Sequence, residues 1–188
     1  ATKGPQVIIS RTHPGLVKRL FELEVPEIYD GTVEIKSISR EAGSRTKLAV
    51  WSADPNVDPI GACVGPRGQR VNTIVEELKG EKMDIIKWSA DPEAYIAAAL
   101  APSDVISVEP FPDGKSCRVV VPDDQLSLAI GKEGQNARLA ARLTGWHIDI
   151  KNETLAADIL KNVPVPAAPA EDLIYEDDED LEPERCAY

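Results

Sequence analysis

The sequence predicts an α/β (α+β) protein of two tandem units, each a three-stranded mixed sheet packed by three helices, with a disordered acidic tail after them. Three observations carry this expectation. Two Gly-x-x-Gly turns, Gly65-Pro66-Arg67-Gly68 and Gly131-Lys132-Glu133-Gly134, stand 66 residues apart. Each follows an apolar stretch (60–64 and 126–130) and opens a helix-like run ending near Leu78 or Thr144. Each run leads into a short alternating strand, 83–88 in the first unit and 146–151 in the second.

The elements follow in order. Residues 6–10 form a short apolar strand, either the last strand of an upstream domain or an edge strand. Pro14 opens a helix with Leu16, Leu20, Leu23 and Val17 on one face, and Pro26 stops it. Strands are expected at 33–39 and 47–51, separated by the polar turn 41–44. Asp58-Pro59 reads as an N-cap with proline at the first helical position, starting the short helix that ends at Gly65. Beyond the first glycine turn, Val71, Ile74, Val75 and Leu78 recur at i, i+3, i+4 and i+7, the spacing of one buried helical face. Gly80 ends that helix.

The pattern then restarts. Asp91-Pro92 caps a helix carrying Tyr95, Ile96 and Leu100, and strands at 105–111 and 117–121 are joined by the turn Pro112-Asp113-Gly114. Asp123-Asp124 is expected to cap the helix to Ile130, and the second glycine turn, its helix and its strand complete the unit. Residues 163–169 alternate proline with valine and alanine and read as a semi-extended linker. The acidic run after them has too little apolar content for a core.

The formal charge of −11 is concentrated at one end. Residues 156–188 hold ten acidic side chains against Lys161 and Arg185, leaving 19 basic and 22 acidic side chains in residues 1–155, a net of −3. Binding of a polyanion by the body must therefore rest on local basic clusters. Cys63, Cys117 and Cys186 are odd in number and widely spaced, which argues against a disulfide framework or a zinc site and fits a reducing, cytoplasmic setting. No apolar run approaches the roughly 18 residues of a membrane helix, and the start at Ala1 has no signal-peptide pattern. We read the chain as a piece of a longer protein. No phosphate loop or dinucleotide fingerprint occurs, and no nucleophile–base pair can be argued from position. The expectation is no enzyme, no cofactor and no metal.

Two glycines flanking two exposed residues let a backbone approach a phosphate with no Cβ between them. An apolar helix, such a turn and a second helix packed on a three-stranded sheet make up the KH fold, and the helix-plus-hairpin placed before the turn matches its bacterial, type II form. In that fold the turn clamps about four unpaired nucleotides, helix N-terminal amides favour phosphate, and bases lie in the adjoining apolar groove. The candidate residues of the first unit are Gly65, Pro66, Arg67, Gly68 and Arg70, with Ile60 and Val64 as groove floor. In the second they are Ile130, Gly131, Lys132, Gly134, Gln135, Asn136 and Arg138. The amides of Gln135 and Asn136 present both donor and acceptor to a base edge. Glu133 sets an acid beside the phosphate path. His13 and His147 are isolated and read as surface groups, Cys63 as a small buried hydrophobe, and Trp51, Trp88 and Trp146 as packing residues at strand ends. The acidic tail either solvates the chain, competes with RNA for the basic groove or offers a docking peptide to a partner.

The runs 60–71 and 129–140 resemble the paired KH domains of the NusA family of bacterial transcription factors. Ser10-Arg11-Thr12-His13-Pro14-Gly15-Leu16 and Glu24-Val25-Pro26-Glu27-Ile28 are similar too. The resemblance covers residues 6 to about 154. It implies four parts: the last strand of an upstream OB-type barrel (1–12), a first KH domain (13–89), a second (90–154), and a Pro/Ala linker with a disordered acidic tail (155–188). It also implies a cytoplasmic, non-catalytic monomer that binds single-stranded nascent RNA. Through the full-length protein it would meet RNA polymerase and other Nus factors, modulating pausing, termination and antitermination. The alternatives are a ribosome-associated KH protein and a KH-based docking scaffold. The duplicated module and acidic tail argue against the first, and Glu133 makes the second module the better candidate for scaffolding.

Overall fold

The computed structural model describes residues 9–156. Most of the strand expected at 6–10, the proline–alanine linker and the acidic run lie outside the described residues, and Ile9 and Ser10 are not in a strand. Helix α1, Pro14–Glu24, starts at His13, whose Nδ1 accepts the Gly15 N–H at 3.0 Å. This histidine is a helix cap, a role its isolation in the sequence did not suggest. Val17 and Phe21 are fully buried while Leu23 is 81 % exposed, so the face expected through Leu23 is corrected. At 100° per residue Leu23 lies about 200° round the helix from Phe21, and the large aromatic ring takes the inward position.

After the short α2, Pro26–Tyr29, strand β1, Val33–Glu41, pairs antiparallel with β2, Arg45–Ser52. Strand β2 pairs in parallel with β3, Lys82–Lys87, giving the order β1-β2-β3. A parallel pair needs a long crossover, and here that crossover carries α3, Pro59–Val64, the first glycine turn and α4, Gln69–Glu77. Asp58 caps α3 by accepting the Ile60 N–H at 3.1 Å. Phe21, Leu48, Val50, Cys63, Ile74 and Leu78 meet in the first core. Burial pushes the Cys63 thiol up to about 12.

The second unit repeats the plan: α5, Pro92–Ala99; β4, Ser107–Pro110; β5, Ser116–Val121; α6, Leu126–Ile130; α7, Gln135–Thr144; and β6, His147–Asn152. Strand β5 is again central, antiparallel to β4 and parallel to β6. The ladder of β4 is shorter than expected, with single bonds from the Ile106 and Phe111 N–H groups continuing it at either end. Asp123 and Asp124 do not cap α6. They sit inside a 3-10 turn, and Asp123 instead accepts from the Thr154 N–H and hydroxyl, tying the segment after β6 back to the turn.

The two units share a core. Ala49 and Ile86 of the first sheet pack with Tyr95, Leu100, Ala140 and Leu143 of the second unit, and α7 lies on β1 and β2. The Ser37 and Tyr95 hydroxyls both donate to the Leu143 carbonyl, at 2.9 and 3.2 Å. Lys47, fully buried, donates to Asp84 at 3.1 Å and across the boundary to the Ala101 carbonyl at 2.7 Å. Trp88 stands at the junction, edge-on to Trp51 and tilted against Tyr95. Apolar burial and cross-boundary bonds of this kind hold the modules as one body.

Candidate nucleic-acid interface

The two glycine turns follow the same backbone path. Gly65 and Gly131 leave the preceding helices at φ 72°, ψ 175° and φ 75°, ψ 171°. Backbone in this region is open to glycine alone. Arg67 (φ 55°, ψ 25°) and Glu133 (φ 54°, ψ 27°) are left-handed, unusual for residues with a Cβ. Gly68 and Gly134 then start α4 and α7; their N–H groups turn back to the Gly65 and Gly131 carbonyls at 3.1 Å, and those of Gln69 and Gln135 to the Pro66 and Lys132 carbonyls. Pro66, Arg67, Lys132 and Glu133 are exposed at the tips. Ile60 and Val64 are half-buried beside the first turn, and Ile130 beside the second is 38 % exposed.

Two candidate ligand residues make structural bonds beside the turns. Arg70 and Asn136 stand five residues after Gly65 and Gly131, and a Cβ on either glycine would run into them. It would lie 2.7 Å from the Arg70 Cγ, or 2.8 Å from the Asn136 backbone nitrogen. Arg70 donates to the Ala62 carbonyl at 2.6 Å and to Glu27 at 2.9 Å. Asn136 is 2 % exposed and its Nδ2 donates to the Ala129 and Leu100 carbonyls, each at 3.0 Å. Both side chains close the open carbonyl end of the helix before the turn. The base-reading role expected of Asn136 is therefore corrected: its amide donor is spent inside the core. Arg70 makes both of its bonds through Nη1, and the sequence could not show the second because Glu27 is 43 residues away.

Gln135 and Arg138 are held by the first module. Gln135 donates to Glu41 at 2.9 Å and to the Ser44 hydroxyl at 2.7 Å, and Arg138 donates to Glu41 at 2.7 Å and to the Glu133 carbonyl at 3.2 Å. Arg142 approaches the same carboxylate at 3.8 Å. The hydrogen bond from Arg138, then that from Gln135, holds the Glu41 carboxyl below its ordinary range. Glu41 ends β1 and Ser44 lies in the turn that follows it, over 90 residues away in sequence, so no local spacing could have pointed to them. Among the described residues no group of three or more His, Cys, Asp or Glu side chains could hold a metal ion, and no helix is long and apolar enough to cross a membrane.

Comparison with known proteins bears on this geometry. Residues 11–88 match the model of a NusA-like first KH domain and residues 92–158 that of a NusA-like second KH domain. The chain is similar to the transcription termination/antitermination protein NusA of Halalkalibacterium halodurans, 67 % identical over 158 residues, 84 % of this chain and 41 % of that protein. The Bacillus subtilis protein of the same name is 66 % identical over 84 % of this chain and 43 % of its own length. That of Thermus thermophilus is 51 % identical over 83 % and 40 %. The chain thus spans about two fifths of the length of these curated relatives. The crystal structure of APE1850 aligns with a TM-score of 0.50 at 23 % identity, covering 71 % of this chain and 94 % of that one, a likeness of fold alone. With two consecutive domain models of one family spanning residues 11–158, this chain belongs to the NusA family and carries its tandem KH domains.

Proposed function

We propose that this chain is the RNA-binding tandem-KH part of a transcription termination/antitermination protein. It binds unpaired RNA at both glycine turns and catalyses nothing. The carrying observation is the identical backbone path of the two turns, each with a left-handed residue at its tip and each opening a helix N-terminus that favours phosphate. The rigid pairing of the modules raises the effective concentration of the second site once the first is filled. The names of the relatives support transcription over a ribosomal role. Contacts with RNA polymerase and other Nus factors belong to the complete protein, acting in the cytoplasm, and this part is a monomer.

The test is binding of an unstructured oligoribonucleotide to wild type, Pro66→Asp/Arg67→Asp and Lys132→Asp. Aspartate tolerates the left-handed tip, so circular dichroism and melting should change little while affinity falls in both variants. If each module neutralises two to four phosphates, the salt slope is about −1.4 to −2.8 per module. Unchanged affinity in Lys132→Asp would assign the second module to protein docking instead.

A further inference from the structure

A cleft of about 380 Å³ lies between the modules. One wall is the second glycine turn with the exposed face of α6, including Gly131, Lys132 and Leu128. The other belongs to the first module: Ser44 of the β1–β2 turn, Arg45, and Lys82 at the start of β3. Arg45 and Lys82 are paired in the parallel β2–β3 register, and the Lys82 N–H donates to the Ser44 carbonyl at 3.0 Å. This wall is thus fixed by the first sheet and does not depend on the first glycine turn.

The charges around the cleft are unequally satisfied. Arg45 is spent on Asp84, in two bonds of 2.6 and 2.9 Å, and Asp84 also takes Lys47. Glu41 is occupied by Gln135 and Arg138. Lys82 and Lys132 are exposed and make no ion pair among the described residues. Glu41 and Asp84 are therefore neutralised, Glu133 at the tip of the second turn is exposed with no ion pair among the described residues, and two lysines from different modules face the same space. Leu128, 44 % exposed, offers an apolar surface between them. Two free cations beside an apolar patch match a nucleotide, with phosphate on the lysines and a base on the leucine.

Resting on the RNA-binding reading above, we propose that the first module completes the second module's site. The cleft takes one nucleotide of the strand clamped by Gly131–Gly134, with Lys82 and Lys132 neutralising its phosphates. Lys82 is then an RNA contact of the second module although it belongs to the first.

The experiment titrates the whole 188-residue chain with a labelled, degenerate single-stranded oligoribonucleotide of about 12 nucleotides, long enough for two clamps of about four and a bridge. The variants are Lys82→Gln, Lys132→Gln, Arg67→Gln, the pairs of Lys82→Gln with each of the other two, and Lys18→Gln as a control on exposed α1. Lys82→Gln should weaken binding about threefold to tenfold and reduce the salt slope by about 0.7, one single-strand phosphate. Lys18→Gln should change neither. The Lys82/Lys132 pair should depart from multiplicativity by about twofold or more, as for groups sharing a partner, while Lys82/Arg67 should multiply. Unchanged affinity and slope in Lys82→Gln, with Lys132→Gln weakened, would overturn the composite site and leave the second turn as an RNA contact. Unchanged binding in Lys132→Gln and Arg67→Gln would overturn the RNA-binding reading itself.

Discussion

Glu81 is 1 % exposed and joins the separate segments of the first module. Its carboxylate takes two hydrogen bonds from Arg40, at 2.8 and 2.9 Å, one from the Gly43 N–H at 2.9 Å, and one from the Thr46 hydroxyl. The remaining nitrogen of the same guanidinium, Nη1, donates to the Arg11 and His13 carbonyls at 2.9 and 3.0 Å. The pair thus fixes the entering chain, the β1–β2 turn and the first residue before β3 at one point. Glu81→Gln keeps the shape but leaves a buried guanidinium without its counter-charge. Breaking a buried pair costs about 3–5 kcal/mol. The lower end applies here because the two carbonyls remain as acceptors, so about 3 kcal/mol is expected. For a folded unit of this size that corresponds to about 6–12 °C in Tm, at about 2–4 °C per kcal/mol. Urea unfolding followed by circular dichroism, with an unchanged slope, measures it.

Acidity supplies a second reading of the same pair. Burial pushes the Glu81 carboxyl up, but the bonds from Arg40, Thr46 and Gly43 outweigh it and hold it below the ordinary 4.5. The folded value is thus lower than the unfolded one, so the charged pair contributes fully above about pH 4.5 and its contribution is lost as pH falls through the folded value. The stability gap between wild type and Glu81→Gln should be widest near neutrality and narrow as pH falls below the ordinary 4.5 and through the folded value. A loss under 1 kcal/mol, or a gap independent of pH, would refute the reasoning.

Gly65→Ala and Gly131→Ala should both destabilise and weaken RNA binding, by about 1–3 kcal/mol of stability from the glycine-only backbone. Gly131→Ala should cost more in thermal unfolding, because its Cβ meets the Asn136 backbone nitrogen at 2.8 Å whereas Gly65 meets the flexible Arg70 side chain. Asn136→Ala should lower stability by about 1–3 kcal/mol through the unpaired Ala129 carbonyl. The Leu100 carbonyl keeps the Ser103 N–H and hydroxyl. The affinity of the folded Asn136→Ala fraction for RNA should be close to wild type, as measured by fluorescence anisotropy well below the melting temperature.

Much of the fold was legible because each element carries its own punctuation. Asp58-Pro59 and Asp91-Pro92 do cap helices, and the helix face of Ile74 and Leu78 is buried as its spacing implies. The duplicated turn sequence led directly to two backbones of the same conformation. What failed was decided by competing partners that spacing does not rank. Asp123 looks like a cap until Thr154 supplies a better donor pair. Leu23 looks inward until Phe21 takes the space. Asn136 looks like a base reader until the Ala129 and Leu100 carbonyls claim its amide. The hold of Glu41 on Gln135 and Arg138 joins residues more than 90 positions apart, and only the docking of α7 on the first sheet brings them together.

The most direct measurement is an amide-resolved NMR titration of the chain with a short, unstructured oligoribonucleotide. Dual engagement predicts the largest shifts at Arg67 to Gln69 and at Glu133 to Gln135, moving together over one range of RNA concentration. Shifts confined to one turn, or clustered on α1 and the β1 face with both turns silent, would contradict it.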